Sequence, residues 1–184
     1  MRLFLLRHGI AEPGTSHLRD FDRALTPEGR AELDSIGRAL RRLDVAPRLI
    51  LTSPLVRARQ TAELVASVLG ATVEIADALS SGATFDQFLS LVRRFTAVDA
   101  LMLVGHEPDF SEAAAQWIGA HGDAIVLKKA GLIRIDLDSR NPGAQGRLRW
   151  LLTPRQLRLI GASATTSTTG AELPIDSDDE RGEA

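Results

Sequence analysis

The chain has 184 residues but contains no cysteine, no long apolar run and no strong excess of either charge. Without cysteine there are no disulfides and no thiol chemistry, although the redox compartment stays open. No segment approaches the roughly 18 apolar residues that cross a bilayer. Aromatic residues make up 4% of the chain and do not cluster, which argues against nucleic-acid binding. We therefore expect neither a membrane nor a nucleic acid as partner.

The ends of the chain differ from its middle. Residues 1–7 resemble the start of a signal peptide, but Arg7 and His8 end the apolar part too early for export, so we expect a cytoplasmic protein. Residues 161–184 are rich in Ser, Thr and acids, which predicts a disordered acidic tail. Residues 1–160 would then form one domain with a mildly basic balance, compatible with anionic substrates.

Six apolar segments of strand length alternate with helical patterns. Such alternation predicts an α/β fold, a three-layer sandwich in which a mostly parallel sheet carries helices on both faces. Turn-forming residues at 139–143 indicate that the last two strands form a hairpin. The predicted strands are Leu3–Leu6, Leu49–Thr52, Val73–Ile75, Leu101–Val104, Leu132–Leu137 and Leu148–Leu152.

Four helices are predicted between these strands. The first begins after Thr26, a suitable N-cap, with Pro27 at the first helical position. The others run from Leu55 to Leu69, from about Phe85 to Phe95, and from Pro108 to about Gly119. Gly29, within the first turn of the first helix, indicates close packing rather than chemistry.

Two of the four histidines directly follow apolar runs that read as central strands. His8 lies in Arg7-His8-Gly9, and His106 follows Gly105. Strand ends in α/β sheets are where ligands reach side chains on a rigid scaffold. Arginine beside histidine suggests a phosphate held by guanidinium N–H groups while an imidazole attacks it. The other two histidines, His17 and His121, are expected on the surface.

A third segment, Ser53-Pro54, follows the second predicted strand. Ser53 is predicted to cap the next helix, with Pro54 in its first turn, so that backbone N–H groups face the strand ends. Arg57 could reach the same space, or it could be a solvated helix arginine. Arg59 has the same two options, and the pattern alone separates them only weakly.

These segments together resemble the histidine phosphatase superfamily, which includes the cofactor-dependent phosphoglycerate mutases. The order and spacing match over residues 3 to about 108, and similarity to the small SixA-like phosphohistidine phosphatases continues to about Leu157. The segments concerned are Arg7-His8-Gly9, Leu25-Thr26 with Gly29, Ser53-Pro54 with Arg57-Ala58 and Gln60-Thr61, Gly105-His106, Lys129-Ala130-Gly131, and Leu148 through Pro154.

The resemblance implies a reaction and roles for several residues. His8 would attack phosphorus, giving a phosphohistidine that water hydrolyses, with no metal or other cofactor. Arg7, Arg57 and His106 would bind the phosphoryl oxygens, and His106 would be protonated beside the anion. Gly9 would let the phosphate approach the backbone. The fold implied is phosphoglycerate mutase-like.

The proton donor is the part of the pattern that this sequence does not match. Larger family members carry a lid acid after the second helix, whereas the short stretch here offers only Asp77; Glu12 and Glu107 are the other candidates. Many SixA-like sequences have an acid where Ile10 stands. A weak proton donor is sufficient when the leaving group is easily expelled, as imidazole is. Without a long lid, the site should be open enough for a phosphate that is attached to a protein.

The leading expectation is a metal-independent phosphatase acting on phosphohistidine in a protein, as a monomer. The runner-up acts on a small phosphorylated metabolite by the same chemistry. A non-catalytic phosphate-binding module is disfavoured by the intact set of arginines and histidines, and a mutase by the open site. Metal ligation by His8 and His106 is disfavoured because a neighbouring arginine repels a cation.

Overall fold

The six predicted strands form one central sheet in the computed structural model, which describes residues 1–162. Each strand is a short apolar run, and β1 and β4 are buried along most or all of their length, as expected for strands covered on both faces. The strands are β1 (Arg2–Arg7), β2 (Leu49–Thr52), β3 (Thr72–Ile75), β4 (Ala100–Gly105), β5 (Leu132–Asp136) and β6 (Arg147–Leu152).

The sheet has the order β3-β2-β4-β1-β5-β6. The first four strands in that order are parallel, whereas β5 runs antiparallel to β1 and pairs with β6 as a hairpin. The predicted mostly parallel sheet and terminal hairpin are therefore confirmed. The parallel arrangement brings the carboxyl ends of β1, β2 and β4 to one edge of the sheet.

Five helices cover the two faces of the sheet. They are α1 (Pro27–Arg42), α2 (Val56–Leu69), α3 (Phe85–Arg93), α4 (Asp109–Ile118) and α5 (Pro154–Ala162). Alternate residues of β1 serve the two faces: Leu3 and Leu5 join a core with α3 and α4, and Phe4 and Leu6 join a core with α1, α2 and α5. The three-layer sandwich is confirmed. Within the described residues, no helix is long and apolar enough to span a membrane.

Helix α5 is the element that the sequence reading missed. Thr153 and Gln156 form a reciprocal pair, in which each side chain accepts from the backbone N–H of the other. This capping pattern, with Pro154 directly after Thr153, was the available signal. The helix extends to Ala162, the last described residue, and Gly161 within it is buried. The rest of the predicted tail, 163–184, lies outside the described residues.

Gly29 allows α1 to approach the chain just after β1. The backbone carbonyl of Ile10 accepts from the Thr26 N–H at 3.0 Å, and a Cβ at Gly29 would overlap that carbonyl oxygen. Because the oxygen belongs to the backbone, it cannot swing aside. The close packing expected at Gly29 is confirmed, and it fixes the segment that carries Gly9.

Gly29→Ala is therefore expected to lower the free energy of unfolding by about 3 kcal/mol, because the added methyl forces the backbones apart. Urea denaturation followed by circular dichroism measures the change. Gly14→Ala is the matched control, since a Cβ there would meet only the Arg23 side chain at 3.9 Å. Equal stabilities for the two variants would contradict this packing argument.

Candidate active site

His8 begins the segment that leaves β1 at the carboxyl edge of the sheet. Its N–H donates to the Gly105 carbonyl at 3.1 Å, and its own carbonyl accepts from the Ala130 N–H at 3.0 Å. The imidazole is 6% exposed. Its Nδ1 lies 2.8 Å from the Gly9 carbonyl oxygen. Because a carbonyl can only accept, Nδ1 carries the proton and Nε2 keeps its lone pair.

The segment after His8 is fastened to α2. The Gly9 N–H donates to Thr61 Oγ1 at 3.1 Å, and the Thr61 hydroxyl donates to the Arg57 carbonyl at 2.7 Å. Nearby, Gln60 accepts from the Leu25 N–H at 2.8 Å. The Gln60-Thr61 part of the motif thus joins the strand end, α2 and the approach to α1 into one unit.

Gly9 packs against buried side chains of the core. A Cβ at this position would lie 2.9 Å from Leu33 and 3.2 Å from Leu25, both side chains of the buried core. The first helix and its approach fill the space beside the glycine, so packing against α1 is one reason for a glycine at this position. The expected role of Gly9 in letting a phosphate approach the backbone stays a prediction.

Arg57, on the first turn of α2, reaches over His8. Its Nε donates to His8 Nε2 at 3.3 Å, and it is 4% exposed. Arg59 instead points outwards, where it approaches Glu63 at 4.0 Å with nearly half of its side chain exposed. The structure thus places Arg57 in the site and Arg59 at the surface, a difference that the sequence pattern alone did not show.

Asp20 is a site residue that the sequence reading missed. It lies in a 3₁₀ turn (Asp20–Asp22), where its carbonyl accepts from Arg57 Nη1 at 2.7 Å and its carboxylate from Nη2 at 3.0 Å. The carboxylate also pairs with Arg23 at 2.6 Å. An acid in a loop before a helix has no distinctive sequence pattern. Its place in the site is visible only from its ion pair with Arg57, which is 37 residues away in the chain.

His106 lies beside His8 at the end of β4. The two ring centroids are 5.2 Å apart, and His106 is 2% exposed. Its Nε2 lies 2.8 Å from Ser53 Oγ. The predicted helix cap at Ser53 is wrong: α2 begins at Val56 with Leu55 as N-cap, and Pro54 precedes the helix. The Ser53 side chain faces His106 instead.

Arg7 completes the set of four. Its Nη1 donates to the Leu127 carbonyl at 2.8 Å, which ties it to the loop before β5. Two nitrogens of this group, Arg7 Nε and His106 Nδ1, are buried with no hydrogen-bond partner among the described residues. Buried unpartnered donors are rare in folded proteins, and two in one site fit a ligand rich in acceptor oxygens.

Burial and arginine charge together keep both imidazoles uncharged. Burial is the main cause that lowers the pKa of His8, to about 3, and His106, Arg57 and Arg7 lower it further. Burial followed by Arg57 lowers the pKa of His106 to about 4. At neutral pH His8 Nε2 is therefore unprotonated, as a nucleophile needs, and its lone pair accepts from Arg57 Nε. The expected protonation of His106 concerns its contact with an anion and stays a prediction.

The three proton-donor candidates lie in different places. Glu107 follows His106, interacts electrostatically with Arg7, and has its pKa raised by burial. Ser111 donates its hydroxyl to the Glu107 carboxylate at 2.5 Å. Asp77 is exposed and begins the 3₁₀ turn (Asp77–Leu79) that follows β3. Glu12 is held through its backbone, by Ala24 and Arg23.

The other histidines in the described part of the chain lie away from this site. His17 and His121 are exposed, as expected. Over residues 1–162, no group of three or more histidine, aspartate or glutamate side chains is placed to hold a metal ion. The charge available to an anion in this site comes from arginine.

Comparisons with known proteins agree with this geometry. The model of the histidine phosphatase superfamily (branch 1) matches residues 3–81. A solved structure from Agrobacterium tumefaciens, assigned as phosphohistidine phosphatase SixA, shares 31% identity and a TM-score of 0.72, covering 83% of this chain and 97% of that one. The chain belongs to the histidine phosphatase superfamily. The resemblance noted in the sequence is thereby confirmed, and the protein is assigned as a phosphatase.

Two further relatives extend the comparison. The protein histidine phosphatase SixA complexed with tungstate has a TM-score of 0.76 at 24% identity, covering 85% of this chain and 99% of that one. A Picosynechococcus protein of unnamed function is 41% identical over 137 residues, which are 72% of this chain and 83% of the relative. This histidine phosphatase thus matches its relatives over most of their length, and the phosphoglycerate mutase-like fold is confirmed.

Proposed function

We propose that the protein hydrolyses phosphorylated substrates through a phosphohistidine intermediate on His8. One observation carries the proposal: the Nδ1–H of His8 is bound to the Gly9 carbonyl, which leaves Nε2 as a lone pair directly beneath the Arg57 guanidinium. The proposed nucleophile and a phosphate-binding cation are thus in direct contact. The two buried nitrogens without partners, on Arg7 and His106, supply further donors around it.

The proposed reaction has two steps. His8 Nε2 attacks phosphorus, forming the N–P bond as the bond to the leaving group breaks, and the leaving group takes a proton from the solvent. Water then attacks the phosphohistidine, the N–P bond breaks, the water returns a proton to the solvent, and inorganic phosphate leaves with His8 uncharged again. Arg7, Arg57 and His106 stabilise the charge on the phosphoryl oxygens in both steps. Arginine here supplies the positive charge that magnesium supplies in kinases.

The proposed substrate is phosphohistidine in a protein, with a small phosphorylated metabolite as the alternative. Imidazole is a leaving group that needs little help from an acid. That suits a site where Glu107, the candidate that interacts electrostatically with Arg7, is already engaged by Ser111. The relatives named SixA are phosphohistidine phosphatases, which supports the same choice. We further propose that the protein acts as a monomer in the cytoplasm and that residues 1–160 carry the activity.

A substrate panel separates these possibilities. Assayed with EDTA, the protein is expected to hydrolyse 4-nitrophenyl phosphate slowly. Its kcat/KM for a histidine-phosphorylated phosphotransfer domain should exceed that for any sugar phosphate by about 100-fold, a margin of about 2.7 kcal/mol in transition-state binding.

Each other outcome of the panel contradicts a different part of the proposal. A large preference for one sugar phosphate would favour the metabolite alternative over phosphohistidine. Tight binding of inorganic phosphate without turnover of any substrate would instead indicate a binding module. Loss of activity in EDTA that is restored by a divalent cation would contradict the metal-independent mechanism.

A further inference from the structure

Ser53 is buried at the end of β2 and touches His106 through its hydroxyl. Ser53 Oγ lies 2.8 Å from His106 Nε2, and both residues are almost fully buried. The contact joins the ends of two adjacent parallel strands, because the Ser53 N–H also donates to the Val104 carbonyl at 3.0 Å. The geometry of the imidazole is therefore fixed by the sheet itself.

The direction of this hydrogen bond follows from the other partner of Ser53. The Leu55 N–H donates to Ser53 Oγ at 3.3 Å, so the oxygen already accepts one hydrogen bond. Among the described residues, the Ser53 hydroxyl has no other acceptor for its proton than His106 Nε2. If the ring donated instead, the serine proton would be buried with no acceptor among these residues, whereas the Nδ1 proton of the other tautomer stays available to an oxygen of a bound ligand.

We propose that Ser53 is a positioning residue that donates to His106 Nε2 and holds the uncharged imidazole with its proton on Nδ1. The Nδ1–H then becomes a fixed, uncharged donor for a phosphoryl oxygen. This accounts for the buried Nδ1 that has no partner among residues 1–162. It also means that His106 can bind the phosphoryl group without first taking up a proton. The inference rests on the proposed phosphatase function and adds how one of its ligands is prepared.

The charges around His106 favour the uncharged ring. The groups that act on it are the three arginines Arg7, Arg23 and Arg57, which oppose protonation, and Asp20, which favours it. The uncharged His8 ring packs beside it, and Glu107 follows it in the chain. Because three of these four charged groups are arginines, an uncharged His106 ring has a lower free energy here than a fourth cation would have.

A pH series on Ser53→Ala tests the proposal. At pH 7.5 the variant is expected to lose about tenfold in kcat on 4-nitrophenyl phosphate, because His106 is no longer held in the donating tautomer. The loss should shrink as the pH falls towards 4, near the lowered pKa of His106, since a protonated imidazole donates from both nitrogens whatever Ser53 does. Ser53→Thr, which keeps the hydroxyl, should restore most of the rate.

Thr52→Val is the matched control, since it removes a buried hydroxyl one residue away that bonds the Ser53 carbonyl at 3.3 Å and not His106. Its effect on kcat should be the same at every pH. A Ser53→Ala defect that is equally independent of pH would reduce Ser53 to a structural role and overturn the inference.

Nitrogen-15 NMR of the unmodified protein measures the protonation of His106 directly and does not depend on enzyme activity. With the His106 signals identified by their loss in His106→Gln, Nδ1 should carry the proton and Nε2 should show the shift of an unprotonated, hydrogen-bonded nitrogen. A proton on Nε2 would overturn the inference while leaving the His8 mechanism intact. Failure of the phosphatase proposal would show separately, as activity that survives loss of His8.

Discussion

Replacing His8 with alanine is expected to lower kcat for 4-nitrophenyl phosphate by about 10⁴-fold or more, because removing a covalent nucleophile removes the whole reaction path. No other described imidazole can substitute: His106 Nε2 is bound to Ser53, and the other two histidines are exposed. Steady-state kinetics with the purified variant measures the loss. Thermal unfolding by circular dichroism checks that the fold survives.

His121→Ala is the control for this experiment, because His121 is exposed after α4 and touches none of the site residues in the described structure. Its kcat should stay within about twofold of the unmodified protein. If His8→Ala retained the full rate, or if both alanine variants lost activity equally, the nucleophile would have to be sought elsewhere.

Replacing Arg57 with alanine is expected to lower kcat by about 10³-fold, with a smaller effect of Arg57→Lys. The guanidinium lies over the attacking nitrogen, so its positive charge is placed where the phosphoryl charge develops. Lysine keeps the charge but loses the planar fork that bonds His8 and Asp20 at the same time. Single-turnover and steady-state rates on one aryl phosphate measure the effect.

Arg59→Ala supplies a closely matched control, two residues along the same helix but exposed and near only Glu63. It should change kcat by no more than about twofold. Similar losses for Arg57→Ala and Arg59→Ala would show that general positive charge, and not a placed phosphate ligand, governs the rate.

The layers of the fold were predictable because each local signal agreed with the global arrangement. Six apolar runs became six strands, and Thr26 with Pro27 marked the start of α1, where the Gly29 N–H donates to Thr26 Oγ1 at 3.0 Å. Helix α5 was missed although Thr153 and Gln156 carry a capping pattern, because its nine residues are too few to show a clear helical period.

The site was predictable only in part. Arg7, His8, Arg57 and His106 converge because parallel strands end at one edge, which the order of elements implies. The partner of Arg57 could not be predicted, because Asp20 reaches it across a loop whose path depends on tertiary packing. Ser53 looked like a helix cap from its neighbours, and only the position of β4 beside β2 turned it towards His106.

Predictable and unpredictable features differ in how far apart the interacting residues are in the sequence. Periodicity and capping are set by residues a few positions apart, so they can be read directly from the chain. Hydrogen bonds such as Gly9 to Thr61, across 52 residues, depend on how two elements pack, and no local pattern encodes them. The residue types therefore indicated the chemistry. The hydrogen-bond partners that hold each site residue in place could be identified only from the structure.

The central claim is a covalent phosphohistidine on His8, and trapping it is the most direct test. Rapid mixing with a ³²P-labelled substrate, a denaturing quench at alkaline pH and peptide mapping should find acid-labile, alkali-stable label on the peptide that contains His8. A chase with unlabelled substrate should remove the label at the turnover rate. Turnover without any labelled protein, or label on a different residue, would contradict the account.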